Sequence, residues 1–342
     1  MRFRSALPLL SVAILFTAQQ SYASDKSQEL RDRLQAAAEL TSLEGSDLKP
    51  WHWKIDLTVF DVEGKNPKTG NLEMWFGNGN MRSIASLGST EIRTLRIGDK
   101  LYRTAGNEKD LAIITFVQMQ LLQPVPRDVF QPSTTVKLSR ESNGAAKFDC
   151  IVPSVVRQTN DVVAVGRQFS FCFKQDTPKL LATYEPGDFG VLRMQTGTFQ
   201  SHEVPVDLGL YVRTTKIAEA KTVELRTEPI DSSAFQIEPN MAPVSEPMEI
   251  SSGDLSHLVL SQVSPSYPLE AKERHASGKL VFDVLIGRDG HVLSLQQIGQ
   301  ADASLAASAK QAVSHWVYRS YCVNGVAVEV RAKINVNFSI GN

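Results

Sequence analysis

Residues 328–340 constrain this chain more than any other stretch. Val328, Val330, Ala332, Ile334, Val336, Phe338 and Ile340 are apolar, and Glu329, Arg331, Lys333, Asn335, Asn337 and Ser339 stand between them. An unbroken period of two over that length dictates a strand with one buried face and one wet face. Upstream, Leu280, Phe282, Val284 and Ile286 repeat the pattern, Asp289-Gly290 supplies a tight turn, and a second apolar run covers residues 292–298. Glycine tolerates the positive φ of such turns, so the two runs predict a hairpin. Leu305, Ala309, Ala312, Val313 and Trp316 then fall on one face of a 3.6-residue period. Asp302 is placed to cap that helix and Asn324-Gly325 to turn the chain into the last strand. The unit reads β-β-α-β, with Trp316 as its largest core anchor.

This pattern resembles the C-terminal domain of TonB, the energy transducer of outer-membrane transport. The resemblance is carried by Tyr267-Pro268, Ala271, Gly278 at the first strand, Asp289-Gly290, His315-Trp316-Val317-Tyr318 and Asn324-Gly325. The family often has a proline after its Trp-x-aromatic group, where this chain has Ser320. The resemblance implies a partner: an outer-membrane receptor, or another extended peptide, added as a strand beside the last one. The partner-binding residues it implies are Val328, Val330, Ile334, Asn335, Val336 and Asn337.

At the other end, Arg2 and Arg4 precede an apolar run at residues 7–18, and Ser21-Tyr22-Ala23 places small residues around a cleavage point. That is the pattern of a secretory signal peptide over residues 1–23. Its apolar core is short against the roughly 20 residues of a spanning helix. The expectation is export to the periplasm with Ser24 as the mature N-terminus, membrane association being the alternative. A net charge of −1 over 342 residues leaves no electrostatic footprint for nucleic acid.

Residues 24–238 predict a polar helix followed by many short strands. A helix over 26–40 carries Leu30, Leu34, Ala37 and Ala38 on one stripe. Trp53, Ile55, Leu57 and Val59 alternate, and further strands are expected at 72–76, 81–85, 91–97, 101–102, 148–152, 168–173, 180–184, 191–199, 211–216 and 222–228. Residues 111–122 form an apolar helix that Pro124 and Pro126 end. The fold class is α+β: an N-terminal curved antiparallel half-barrel with helices, followed by the C-terminal unit. The order of helix, meander and interrupting apolar helix is similar to the LolA-type periplasmic lipoprotein carriers. So are residues 173–178 and the ending through Val223-Glu224-Leu225, Ile230-Asp231 and Phe235. That resemblance implies a lipid site between sheet and helices, with Ile113, Phe116 and Val117 among the contacts. Core packing is the commoner use of such a helix.

Residues 239–254 lack a periodic pattern and read as a linker to the unit at 255–342. In an oxidising compartment Cys150 and Cys172, each in a strand, are expected to pair, two buried thiols being the alternative; Cys322 is left over. The six histidines are scattered without metal-ligand spacing, and no nucleophile elbow, phosphate loop or dinucleotide fingerprint occurs. The carboxylates of Glu108 and Asp110 are expected in ordinary loops. No catalytic residue, metal or cofactor is therefore expected. Two functions remain: a peptide-binding interaction module, and a carrier of lipid or lipoprotein acyl chains.

Overall fold

Two sheets carry the fold in a computed structural model that describes residues 11–45, 47–126, 134–143, 146–155, 169–185 and 189–339. The expected n-region with Arg2 and Arg4, and Ile340, lie outside these residues. The first helix, α1, spans Ser11–Thr41 and so runs through the expected cleavage point into the predicted stripe. Among the described residues no helix is long and apolar enough to cross a membrane.

The larger sheet is built from β1 (Trp51–Val59), β2 (Lys68–Gly77), β3 (Asn80–Leu87), β4 (Thr90–Ile97) and β5 (Lys100–Arg103). After α2 (Glu108–Leu122) it continues with β6 (Thr134–Asn143), β7 (Ala146–Val155), β8 (Ser170–Lys174), β9 (Leu180–Glu185), β10 (Phe189–Phe199), β11 (His202–Val212) and β12 (Thr215–Thr227). The strands lie in the order β5-β4-β3-β2-β1-β12-β11-β10-β9-β8-β7-β6, a large curved open sheet. The expected strand at 211–216 instead folds back on itself: 211–212 end β11, 215–216 open β12, and the turn between them passes through Arg213 at φ 56°. β6 was not expected, because only Val136 and Leu138 are apolar in TTVKLSRESN.

The odd residues of β1 turn Trp51, Trp53, Ile55 and Leu57 to one face, all but fully buried. Ile114, Val117, Leu121 and Leu122 of α2 fill that face. Asn107 caps α2, accepting from the backbone N–H groups of Lys109 and Asp110. Glu108 and Asp110 therefore open a helix rather than a loop, and Asp110 accepts from Lys68 Nζ at 2.6 Å. Leu30, Leu34 and Ala37 of α1 pack separately against Ile151, Phe171, Phe173 and Leu180. Cys150 and Cys172 face each other across β7 and β8 and are disulfide-bonded, with Cys322 outside that bridge.

Residues 239–254 are not a loose tether. β13 (Ala242–Pro243) pairs with β5, and β14 (Met248–Glu249) pairs in parallel with the last strand. The connection is thus stitched to both sheets by backbone hydrogen bonds.

After α3 (Ser252–His257), β15 (Val259–Ser261) and α4 (Leu269–Glu273) come β16 (Gly278–Ile286), β17 (Val292–Ile298), α5 (Ala303–Val313), β18 (Val317–Tyr318), β19 (Tyr321–Val323), β20 (Val326–Val328) and β21 (Val330–Phe338). The smaller sheet runs β14-β21-β16-β17. Asp302 caps α5, accepting from Ser304 and Leu305 N–H groups. Gly290 sits at φ +81°, and a Cβ there would fall 1.8 Å from the Tyr318 carbonyl oxygen, so only glycine fits. Trp316 lies beyond the helix end, buried, with its indole N–H donating to Val263 O at 2.8 Å. The final strand begins at Val330 rather than Val328. Val328 belongs to the short β19–β20 hairpin around Asn324-Gly325.

Candidate functional site

Two surfaces follow from this architecture, and both involve residues 246–252. The first is the outer edge of β21. In a strand, the backbone groups of alternate residues point to opposite sides. Met248 N–H donates to Glu329 O at 2.8 Å and Ile250 N–H to Arg331 O at 2.9 Å. Ser252 Oγ donates to Lys333 O at 2.5 Å. The odd residues of β21 therefore aim their N–H and C=O groups away from β16, and residues 246–252 occupy that side as far as Lys333. Beyond it, among the described residues, no strand pairs with the outer side of Asn335 and Asn337.

Of the six expected partner-binding residues, Val330, Ile334 and Val336 are buried and face the core, and Asn335 and Asn337 are exposed. Val328 is removed from the strand altogether. β17 forms the opposite edge, with Leu293 and Ile298 exposed.

The second surface is a cavity of about 580 Å³ between the two sheets. α2 contributes Leu111, Ile113 and Phe116, the larger sheet Phe189 and Ile217, and the C-terminal unit Met248, Ile250, Leu258 and Tyr321. Lys109, Glu249, Asp254 and His257 add charge or polarity. Phe116 and Phe189 meet edge to face at 4.9 Å. Ile113 and Phe116 of the expected lipid contacts thus line the hollow. Val117 turns the other way, fully buried against the larger sheet. A helix with no solvent-exposed face beyond its first turn is explained by this sandwich: one side meets the sheet, the other the cavity and Tyr321. Burial pushes the Tyr321 hydroxyl up to about 12.

Beside the cavity the seam is polar. Arg319 Nη1 lies 3.7 Å from Glu185 Oε1, both side chains almost wholly buried. Gln120 Nε2 donates to Glu185 Oε1 at 3.4 Å, Arg193 Nη2 to Gln120 O at 2.8 Å and Arg319 Nη2 to Gln123 O at 2.7 Å. Burial pushes the Glu185 carboxyl up to about 8 against the pull of Arg319. Burial likewise lowers Arg193 to about 9. The Asn324 amide oxygen accepts from Ser83 Oγ at 3.1 Å and Gln118 Nε2 at 3.2 Å, so the predicted turn is also a docking point.

Sequence reasoning missed residues 246–252, Phe189, Ile217 and the Glu185–Arg319 pair. Only the first left a signal, the alternation of Met248, Glu249 and Ile250, and it is too short to stand out. Among the described residues no cluster of His, Cys, Asp or Glu could hold a metal ion.

Residues 263–340 match the family model of the Gram-negative bacterial TonB protein C-terminal. Over 111 residues the chain is 28% identical to the protein TonB of Vibrio cholerae serotype O1 (strain ATCC 39315 / El Tor Inaba N16961), covering 30% of this chain and 45% of that protein. The chain therefore spans less than half the length of that curated relative. Two solved structures resemble the fold at low scores. A DUF1329 family protein from Desulfovibrio piger ATCC 29098 has a TM-score of 0.38 at 10% identity, covering 61% of this chain and 99% of that one. A LolA superfamily protein from Nitrosomonas europaea has a TM-score of 0.38 at 9% identity, covering 60% and 97%.

Proposed function

We propose that this chain is an exported periplasmic protein whose C-terminal sheet receives an extended segment of a partner, such as an outer-membrane receptor, along the outer edge of β21. One observation carries the reading: the odd residues of β21 point their backbone groups outward, and beyond Lys333 no described strand covers them. The match of residues 263–340 to the TonB C-terminal supports it. Asn335 and Asn337 supply the open donors, while Val330, Ile334 and Val336 anchor the strand in the core. Backbone bonds contribute about 0.5–1.5 kcal/mol each net, so a short peptide binds weakly. The test is amide hydrogen exchange on the whole chain with extended peptides from receptor plug regions. Protection at Asn335 and Asn337, lost in Asn335→Pro, supports the reading; protection confined to the larger sheet overturns it.

The cavity favours a second reading, a carrier of acyl chains. At about 580 Å³, with a largely apolar wall and a few polar groups, it has the proportions of a small-molecule site. Native mass spectrometry of protein taken from a periplasm would show bound lipid under this reading and none under the first alone. No catalytic role is proposed.

A further inference from the structure

The segment that reads as a linker behaves in the structure as a ligand. Residues 246–252 lie against the first part of the outer edge of β21: a bend at 246–247 leads into Met248 and Glu249, which run parallel to it opposite Val330 and Arg331, and Ser252 opens α3. Three contacts to the carbonyls of Glu329, Arg331 and Lys333 hold them there. Met248 is buried in the core of the C-terminal unit, and Ile250 packs against that core. Glu249 between them points to solvent. Two residues before Met248, the Glu246 carboxylate takes a two-pronged grip from Arg288, Nε at 3.0 Å and Nη2 at 2.7 Å, and also accepts from the Glu329 N–H at 3.1 Å. A bidentate carboxylate–guanidinium contact is oriented as well as attractive, so it sets the register of whatever strand presents the acid.

We propose that residues 246–252 are an internal occupant of the partner edge, a strap that an incoming strand must displace to pair with the whole of β21. The inference rests on the reading of β21 as a docking edge and adds the partner's chemistry and its competitor. The partner is a segment that pairs parallel to β21 through two apolar residues spaced by one, preceded by an acidic residue that can reach Arg288. Arg288 receives the acid, and the places of Met248 and Ile250 receive the apolar side chains. Because the strap is tethered at both ends, its effective concentration at the edge is in the millimolar range, and a free peptide competes at a disadvantage. Without displacement, only the short stretch around Asn335 and Asn337 is open.

The strap also walls the cavity through Met248 and Ile250. A strand that takes its place on β21 thereby replaces that wall of the hollow with its own apolar side chains.

The probe is a labelled synthetic peptide copying residues 244–252, read by fluorescence anisotropy on the whole chain. Three proteins are compared in a Cys322→Ser background. The first is the parent. In the second, Glu246→Ala with Ile250→Pro removes the Arg288 grip and the N–H given to Arg331. In the third, Glu249→Cys with Arg331→Cys can be oxidised to fasten the strap to β21. These two positions are Cα partners, with Glu249 Oε1 and Arg331 Nε 3.9 Å apart. The expected result is that the loosened protein binds the peptide at least about tenfold more tightly than the parent. The cross-linked protein should bind it more weakly than the parent until reduced, and the same peptide carrying Glu246→Lys should bind poorly to all three. Equal binding by all three proteins overturns the strap as an occupant and leaves the docking edge standing. No binding by any, the loosened protein included, removes the docking edge itself and the strap proposal with it.

Discussion

The seam between the two sheets closes in two different ways within one helix length. On one side Glu185, Arg319, Gln120 and Arg193 meet all but shielded from solvent, and direction is everything: each buried polar group depends on the partner it faces. On the other side α2, β10 and the strap leave an apolar hollow whose walls require nothing of one another beyond shape. Buried ionic contacts tolerate few alternative arrangements, since a displaced partner leaves a desolvated charge behind. Apolar walls can part and rejoin at a cost roughly proportional to the area exposed. The polar patch is suited to fixing how the sheets sit, and the hollow to changing its contents.

The largest expected effect breaks the polar patch. Measured above about pH 8, where Glu185 has given up its proton, Arg319→Met should destabilise by roughly 3–5 kcal/mol, because Glu185 loses its counter-charge and Gln123 O its donor. Urea unfolding measures it; a loss under 1 kcal/mol would put the hollow and the patch on the same footing. Next comes pH. The folded-state pKa of Glu185, about 8, lies above its ordinary 4.5, so the folded state holds a proton that the unfolded chain has released. Stability contributed this way is full below about 4.5 and is lost as pH rises to about 8, on the order of a few kcal/mol. Glu185→Gln should flatten that slope in a series of thermal melts, and an unchanged slope would show that another group sets it.

Smaller effects belong to the hollow. Phe116→Ala should cost roughly 1–2 kcal/mol, since its ring is only partly buried, and should enlarge the site for an apolar fluorescent probe. Ala112→Phe should block that probe with little change in melting temperature. If both variants behave as the parent, the hollow holds nothing. The smallest effect concerns the strap: in limited proteolysis residues 242–252 should be cut slowly, because their backbone is paired to β5 and β21. Early cutting there would mean the strap leaves the edge often.

The C-terminal unit was legible because its signals are local. Alternation at 328–340, the Asp-Gly turn and the spacing of Leu305 to Trp316 each lie within a few residues. The disulfide was legible for a related reason, both cysteines sitting in apolar strands with room for one connection between. The β11–β12 hairpin was hidden because the ladder shifts register between Leu210 and Tyr211 and no glycine marks the turn at Arg213. The Glu185–Arg319 pair had no local trace, and of the cavity only the α2 side, Ile113 and Phe116, showed in the apolar run at 111–122. Their members come from segments that only the packing of one sheet on the other brings together. The strap fell between these cases, with a real alternation in a strand of two residues.

The order of the larger sheet has a consequence in time. Its middle is the pair β1–β12, where Trp51 faces Thr227, so the first strand made must wait for the last. At roughly 5–20 residues per second of synthesis, β12 emerges on the order of ten seconds or more after β1. Until then Trp51 and Trp53 have one neighbour strand and half a core. Contacts so distant along the chain also slow the search once all strands are present. A chain arranged this way stays unfinished while it is being made, which is the condition in which a polypeptide can still be threaded through a narrow passage.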